Sequence, residues 1–250
     1  MYKSNVPKPG EAVLFRDLGG TIIWRFKLMN RRKDAALGAI MLRGRPTAAF
    51  QGGKSMEDVY SRFFAEIGLT GEELEKAARK EFRLQHVRKG TTPFHQGDLL
   101  DNYRFLASDG VFRLYYVTDS GTETTRCIVT DFAEALFSDF DLNQVLQSSD
   151  SLEALTDADI LVISDESLQK LRKQFERVDL ILAGMLQKAW YDNWNMRQVF
   201  QTMQGTERVK WMMQNMPRAM ETVKASDVAS FLNMTPVQLC RIRKKLKENV

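Results

Sequence analysis

The side chains best suited to recognition chemistry are gathered near the C-terminus, where Gln238, Arg241, Arg243, Lys244 and Lys245 follow Thr235-Pro236. Arginine grips guanine through two parallel hydrogen bonds and glutamine does the same for adenine, whereas lysine more naturally neutralises a phosphate. Such groups need a rigid support. Thr235-Pro236 supplies a helix start, because the hydroxyl caps free amides and proline fills the first turn, where a missing N–H costs nothing. The helix that follows buries Leu239, Ile242 and Leu246 on one face and leaves Gln238, Arg241 and Lys245 on another, with Arg243, Lys244 and Lys247 beside them. Upstream, residues 226–232 read as a short helix with Ser226 as its N-cap. Asn233 stands where the chain must turn, since Asn tolerates a left-handed backbone, and Met234 is a buried turn residue. Helix, tight turn and capped basic helix is the helix-turn-helix arrangement, whose second helix enters the major groove of double-stranded DNA. A C-terminal helix rich in Lys and Arg is otherwise a solvated face; the capped turn sets this one apart.

Catalysis has little material. The histidines are His86 and His95, nine residues apart with no HxH pair, so the His/carboxylate cluster of a barrel-type metal oxygenase does not form. No GxSxG, P-loop or GxGxxG motif occurs. Cys127 and Cys240 lie far apart without CxxC or Cys/His spacing, which predicts reduced thiols and neither a disulfide framework nor a zinc site. No enzyme activity, cofactor or metal is expected.

The elements that must carry the recognition helix follow from charge and periodicity. The net charge of +4 divides into +8 over residues 1–55, −9 over 56–203 and +5 over 204–250. A polyanion-binding module on a non-binding body gives this asymmetry, and a solvated basic tail gives it too. Residues 1–55 hold three of the six prolines and seven of the fifteen glycines without a sustained hydrophobic period, so a basic, loosely ordered extension is expected there. From Met56, the residues Val59, Phe63, Phe64, Ile67 and Leu69 have helical spacing, and a polar helix over 71–80 follows. Residues 82–88, 103–107, 111–117, 123–129 and 160–163 read as short strands separated by turn residues, with a helical interlude over 132–146. A long helix-compatible run spans 166–203, in which Val178, Leu182, Met185 and Ala189 alternate by four and three. That is the pattern of a dimer seam, and the alternative is a helix packed on its own domain. No segment reaches the ~20 apolar residues a membrane span needs, so a cytoplasmic protein without membrane partners is expected.

Residues 56–246 resemble the Crp/Fnr-type regulators. FLASDGVFRLYYVTDS (residues 105–120) is similar to the central hairpin of their cyclic-nucleotide-binding-like β-roll, KGTTPFHQGD (89–98) to its preceding strand-turn and ALTDADILVIS (154–164) to its closing strand. DVASFLNMTPVQLCRIRKKL (227–246) resembles their helix-turn-helix. The resemblance implies an α+β chain with an antiparallel β-roll over 56–170, a dimerisation helix over 171–203 and a DNA-binding helix-turn-helix domain over 204–250. It implies a homodimeric bacterial transcription regulator on a near-palindromic operator. Nucleotide-binding members carry a Gly-Glu pair for the ribose and then an arginine for the cyclic phosphate. Here the nearest pair is Ala133-Glu134, and no Lys or Arg occurs from Cys127 to Gln169. Arg113, Arg126 and Glu134 are therefore the candidate effector contacts in a degenerate pocket of unknown effector, expected not to bind cyclic AMP. The alternative is a β-roll that senses a ligand or docks a protein without reading DNA sequence.

Overall fold

The computed structural model describes residues 13–16, 22–25, 56–141 and 143–248. The chain divides into two units, Met1–Pro46 and Thr47–Val250. In the first, β1 (Val13–Arg16) pairs antiparallel with β2 (Ile22–Arg25), Val13 opposite Arg25 and Arg16 opposite Ile22. The expectation of a loosely ordered extension is altered at these two strands and otherwise lies outside the described residues.

The second unit opens with α1 (Met56–Glu66) and α2 (Glu72–Glu81) and continues into two three-stranded antiparallel sheets. One has the order β3 (Arg83–Val87), β8 (Ala158–Ser164), β4 (Asn102–Leu106). The other has the order β6 (Glu123–Val129), β5 (Phe112–Val117), β7 (Ser151–Ala154). The inner faces meet in a hydrophobic core containing Leu106, Phe112, Leu114, Leu152, Ile160 and Val162. Side chains alternate along a strand, so Leu161 and Ile163 of β8 point the other way, with Tyr103 and Phe105 of β4. They meet Phe63 and Phe64 of α1, Leu74 and Ala78 of α2, and Leu168 and Leu171 of α3 (Asp165–Gln174) in a second core. A strand buried on both faces reads as a continuous apolar run, which is why 160–163 carries no polar alternation. Tyr60 ties the helical layer to the sheet, its hydroxyl donating to Phe82 O at 3.3 Å and accepting from Leu84 N at 3.1 Å.

Two expected helices are corrected. Residues 132–146, Leu142 aside, contain no helix. Ala133 adopts φ 65°, and the segment instead bonds along β4 through Ala133 N to Leu106 O (2.7 Å) and Leu136 N to Arg104 O (2.8 Å). Its aromatic spacing serves packing, since Phe132, Phe137 and Phe140 lie against the outer-face core. The run 166–203 is two helices: α3 ends at Phe175, whose extended backbone turns the chain before α4 (Arg177–Thr202). Arg172 and Asp179 bridge that bend at 2.6 Å.

Side chains close on the backbone at Gly110, where an added Cβ would lie 2.4 Å from Ala158 Cβ and 2.9 Å from Leu106 Cδ1. Gly110→Ala is expected to lower unfolding stability by about 1–3 kcal/mol, the usual cost of overpacking a filled site. Denaturant melts of the two proteins check this.

Candidate nucleic-acid interface

The C-terminal head comprises α5 (Gly205–Asn215), α6 (Pro217–Thr222), α7 (Ala225–Phe231) and α8 (Pro236–Glu248). Between α7 and α8 the chain turns through Asn233 at φ 53°, and Met234 N returns to Ala229 O at 2.9 Å. Met234 is half-buried against the head's core. The start of α8 is capped reciprocally: Gln238 N donates to Thr235 Oγ1 at 3.2 Å, and Thr235 N donates to Gln238 Oε1 at 2.9 Å. This is a capping box closed by glutamine. The cap of α7 differs from expectation, being Lys224 without a side-chain bond, while the Ser226 hydroxyl lies 3.1 Å from Asp227 Oδ1. Asp227 takes the first-turn place, where a carboxylate faces the positive end of the helix.

Leu239 is buried, and Ile242 and Leu246 pack beside it with Val209, Met212, Val228 and Leu232. The outer face of α8 exposes Val237, Gln238, Arg241, Lys244 and Lys245. Arg243 is not on it: its guanidinium turns back to donate to Met220 O at 3.3 Å. Val237, 59% exposed on that face, is an apolar contact the sequence reading did not assign. Arg241 and Gln238 also border a cleft of about 320 Å³ that Asn233 and Arg208 complete.

Three arginines fasten the head, among them Arg218 of α6, whose Nη1 lies 3.4 Å from Asp109 Oδ1 of the roll. Arg208 of α5 donates to Met203 O at 3.0 Å and Phe200 O at 2.9 Å, satisfying carbonyls at the end of α4, and to Leu232 O at 3.2 Å beyond α7. Phe200 stands edge-on to Phe231 beside it. On the other side α7 lies against β6, and Val111, Ile128 and Leu155 of the roll enter the head's core. Arg113 of β5 joins them, bonded to Glu153 (2.6 Å), Glu123 (2.8 Å) and Asp227 of α7 (3.2 Å).

This placement corrects the expected effector contacts. Arg113 faces the head, stacked on Tyr115, and not the roll interior. Arg126 pairs with the buried Asp150 at 3.0 Å and lies over Tyr116. Burial raises the Asp150 carboxyl above its ordinary range, against the hydrogen bond from Ser138 and the charge of Arg126. Glu134 is half-buried, and burial followed by the neighbouring charge of Asp131 pushes its carboxyl up to about 7. Lys188 and Asp192 of α4 face the same spot, paired at 2.7 Å. The three effector candidates thus do not converge. His86 is exposed with Nδ1 2.8 Å from Asp159 Oδ1, His95 is exposed, and among the described residues no His, Cys, Asp and Glu cluster suited to a metal is present. Both cysteines are free, and burial pushes the Cys127 thiol up to about 12.

Of the expected seam, Val178 and Leu182 are buried in the chain's own outer-face core with Met185 packed against it, whereas Ala189 is exposed. A different row of α4 faces outward: Leu180 (74% exposed), Ala183, Gln187, Trp190 (66%) and Trp194. The rings of Trp190 and Trp194 stack at 6.0 Å.

Glu134 generates a pH dependence. A carboxyl whose folded pKa lies above its unfolded value keeps its full contribution below about pH 4.5 and loses it as pH rises to about 7, where the folded group ionises. Glu134→Gln is therefore expected to gain stability over the parent progressively between those limits and level off above them. Thermal melts across pH 4 to ~8 check this, and parallel curves would contradict it.

No family model matches the chain, and no curated protein matches it in sequence. Solved structures do match. FixK2 of Bradyrhizobium japonicum superposes with a TM-score of 0.57 at 14% identity, over 67% of this chain and 85% of that one. A protein of Eubacterium rectale assigned to the Crp/Fnr family of transcriptional regulators gives 0.57 at 16% identity, over 75% and 88%. The c-di-GMP-responsive global regulator CLP of Xanthomonas campestris gives 0.55 at 16% identity, over 71% and 92%. Among the described residues no helix is long and apolar enough to cross a membrane. Two facing antiparallel sheets, the helix α4 and the capped helix-turn-helix, with these superpositions, show that this chain shares the fold of these solved structures.

Proposed function

We propose that this protein is a homodimeric transcription regulator that reads duplex DNA sequence through α8. The observation that carries this reading is the reciprocally capped start of α8. It fixes a helix whose inner face is buried and whose outer face presents Arg241, Gln238, Lys244 and Lys245. In the free protein Gln238 Oε1 is engaged in the cap, so Arg241 is the primary base reader. Val237 offers a methyl surface to thymine, and Thr235, Lys244 and Lys245 serve phosphates. Arg243 is left out of the interface because it holds α6.

A single recognition helix covers one half-site, so the reading requires a second copy. Leu180, Ala183, Gln187, Trp190 and Trp194 recur at three and four, the spacing of a coiled-coil seam, on the face of α4 left open by its own domain. That row replaces Val178, Leu182, Met185 and Ala189, which lie on the other side of α4, as the dimer contact. The roll is read as a sensor domain that does not take cyclic AMP. Arg113 and Arg126 are both engaged by carboxylates, and an anion desolvated without a cation costs several kcal/mol.

Selection from a pool of random duplexes is expected to return one paired half-site. Arg241→Ala should cost about 1–3 kcal/mol on that duplex, while Lys245→Ala should weaken all duplexes alike and lower the salt slope by about 1. Equal small losses on every duplex would leave only non-specific charge. Trp190→Glu is expected to yield folded monomers in sedimentation, whereas Leu182→Glu should unfold the chain by charging its core. A wild-type monomer at micromolar concentration would contradict the dimer.

A further inference from the structure

We propose that Arg113 is the positioning residue of the reading head: by holding Asp227 of α7 against β5 it fixes the head's orientation on the roll, and with it the half-site spacing a dimer reads. The inference rests on the DNA-binding reading above.

The charge arrangement makes this contact a latch. Arg113 offers a separate nitrogen to each partner: Nε to Glu153, Nη2 to Glu123 and Nη1 to Asp227. Its side chain is 9% exposed and that of Asp227 14%, so the pair is largely withdrawn from water. Glu153 and Glu123 belong to the roll, and they neutralise Arg113 whether or not the head is docked. Asp227 is the third carboxylate on one guanidinium, and release returns it to solvent. Neither state strands a buried charge, so the contact can open without the penalty that breaking an isolated buried pair carries.

Val111, Ile128 and Leu155 of the roll hold the head by apolar contact, so the charged cluster sets how the head sits and does not carry its attachment alone. Thr125 N donates to Ser230 Oγ at 2.9 Å, but the hydroxyl of Thr125, buried at the same place, has no hydrogen-bond partner among the described residues. On the opposite side Arg208 ties the head to the end of α4 through two carbonyls, Met203 O and Phe200 O, neither of which needs the roll. The head thus has a pivot at Arg208 and a latch at Arg113. With the latch closed the outer face of α8 stays exposed, so the contact orients the reading face and does not cover it.

The test uses the full chain with Asp227→Asn and Asp227→Lys, which leave the three roll residues of the cluster intact. Amide exchange in 225–231 is expected to quicken about tenfold or more in Asp227→Asn, and further in Asp227→Lys, with β8 amides unchanged. Selection from random duplexes should return the wild-type half-site sequence from both variants, but with the distance between half-sites scattered where the wild type fixes one. Unchanged exchange in both variants would overturn the latch. Faster exchange with an unchanged spacing would overturn the positioning role. A wild type that selects no duplex would instead overturn the DNA-binding reading and the positioning role with it, while the exchange result still decides the latch.

Discussion

Burial of β8 on both faces is the constraint on which the rest of the fold depends. Ile160 and Val162 close the roll, while Leu161 and Ile163 form the floor on which α1, α2 and α3 lie. The same outer core receives Val178 and Leu182. That sets the direction of α4, and α4 sets where the head begins. A strand with only one apolar face would close the sheets but leave α4 without a seat on the roll.

Seen from the head, the fold solves two problems with arginine. A helix end leaves carbonyls without partners, and the last turn of α4 meets α5 where those carbonyls would be enclosed. Arg208 satisfies two of them and a third beyond α7, so the same side chain that completes one helix fixes the angle of the next element. Arg113 does the equivalent between sheet and helix. Guanidinium suits both places, because its planar fork serves several acceptors at set angles where an ammonium would act as a point charge.

Much of this was legible in the sequence, and the failures have physical causes. Strands read from β-branched and aromatic runs fall within a residue of those observed at β3 to β6. The turn at Asn233 and the cap at Thr235 are as expected, since both are set by local backbone chemistry. β7 is missed because Ser151–Ala154 has no β-branched residue and is a strand only through its pairing with β5. The helix expected over 132–146 fails because Phe132, Phe137 and Phe140 follow the shape of the sheet they cover, and an irregular path can imitate a helical period. Amphipathic spacing on α4 finds a buried row but not what buries it. Val178 and Leu182 face the chain's own core, and the row at Leu180, Trp190 and Trp194 shows itself only once the inner face is known. Arg113 was assigned to the wrong side of the sheet because its three partners lie at 123, 153 and 227, separations no local pattern reports.

The central claim is that the outer face of α8 enters the major groove of duplex DNA, once per protomer of a symmetric pair. Methylation protection at guanine N7, an atom that opens only to the major groove, tests it most directly. On a duplex bound by the protein, the account predicts two protected guanine patches on one side of the helix, separated by about 10–10.5 base pairs or a multiple of that turn. Uniform protection, or none on a duplex that is demonstrably bound, would contradict it.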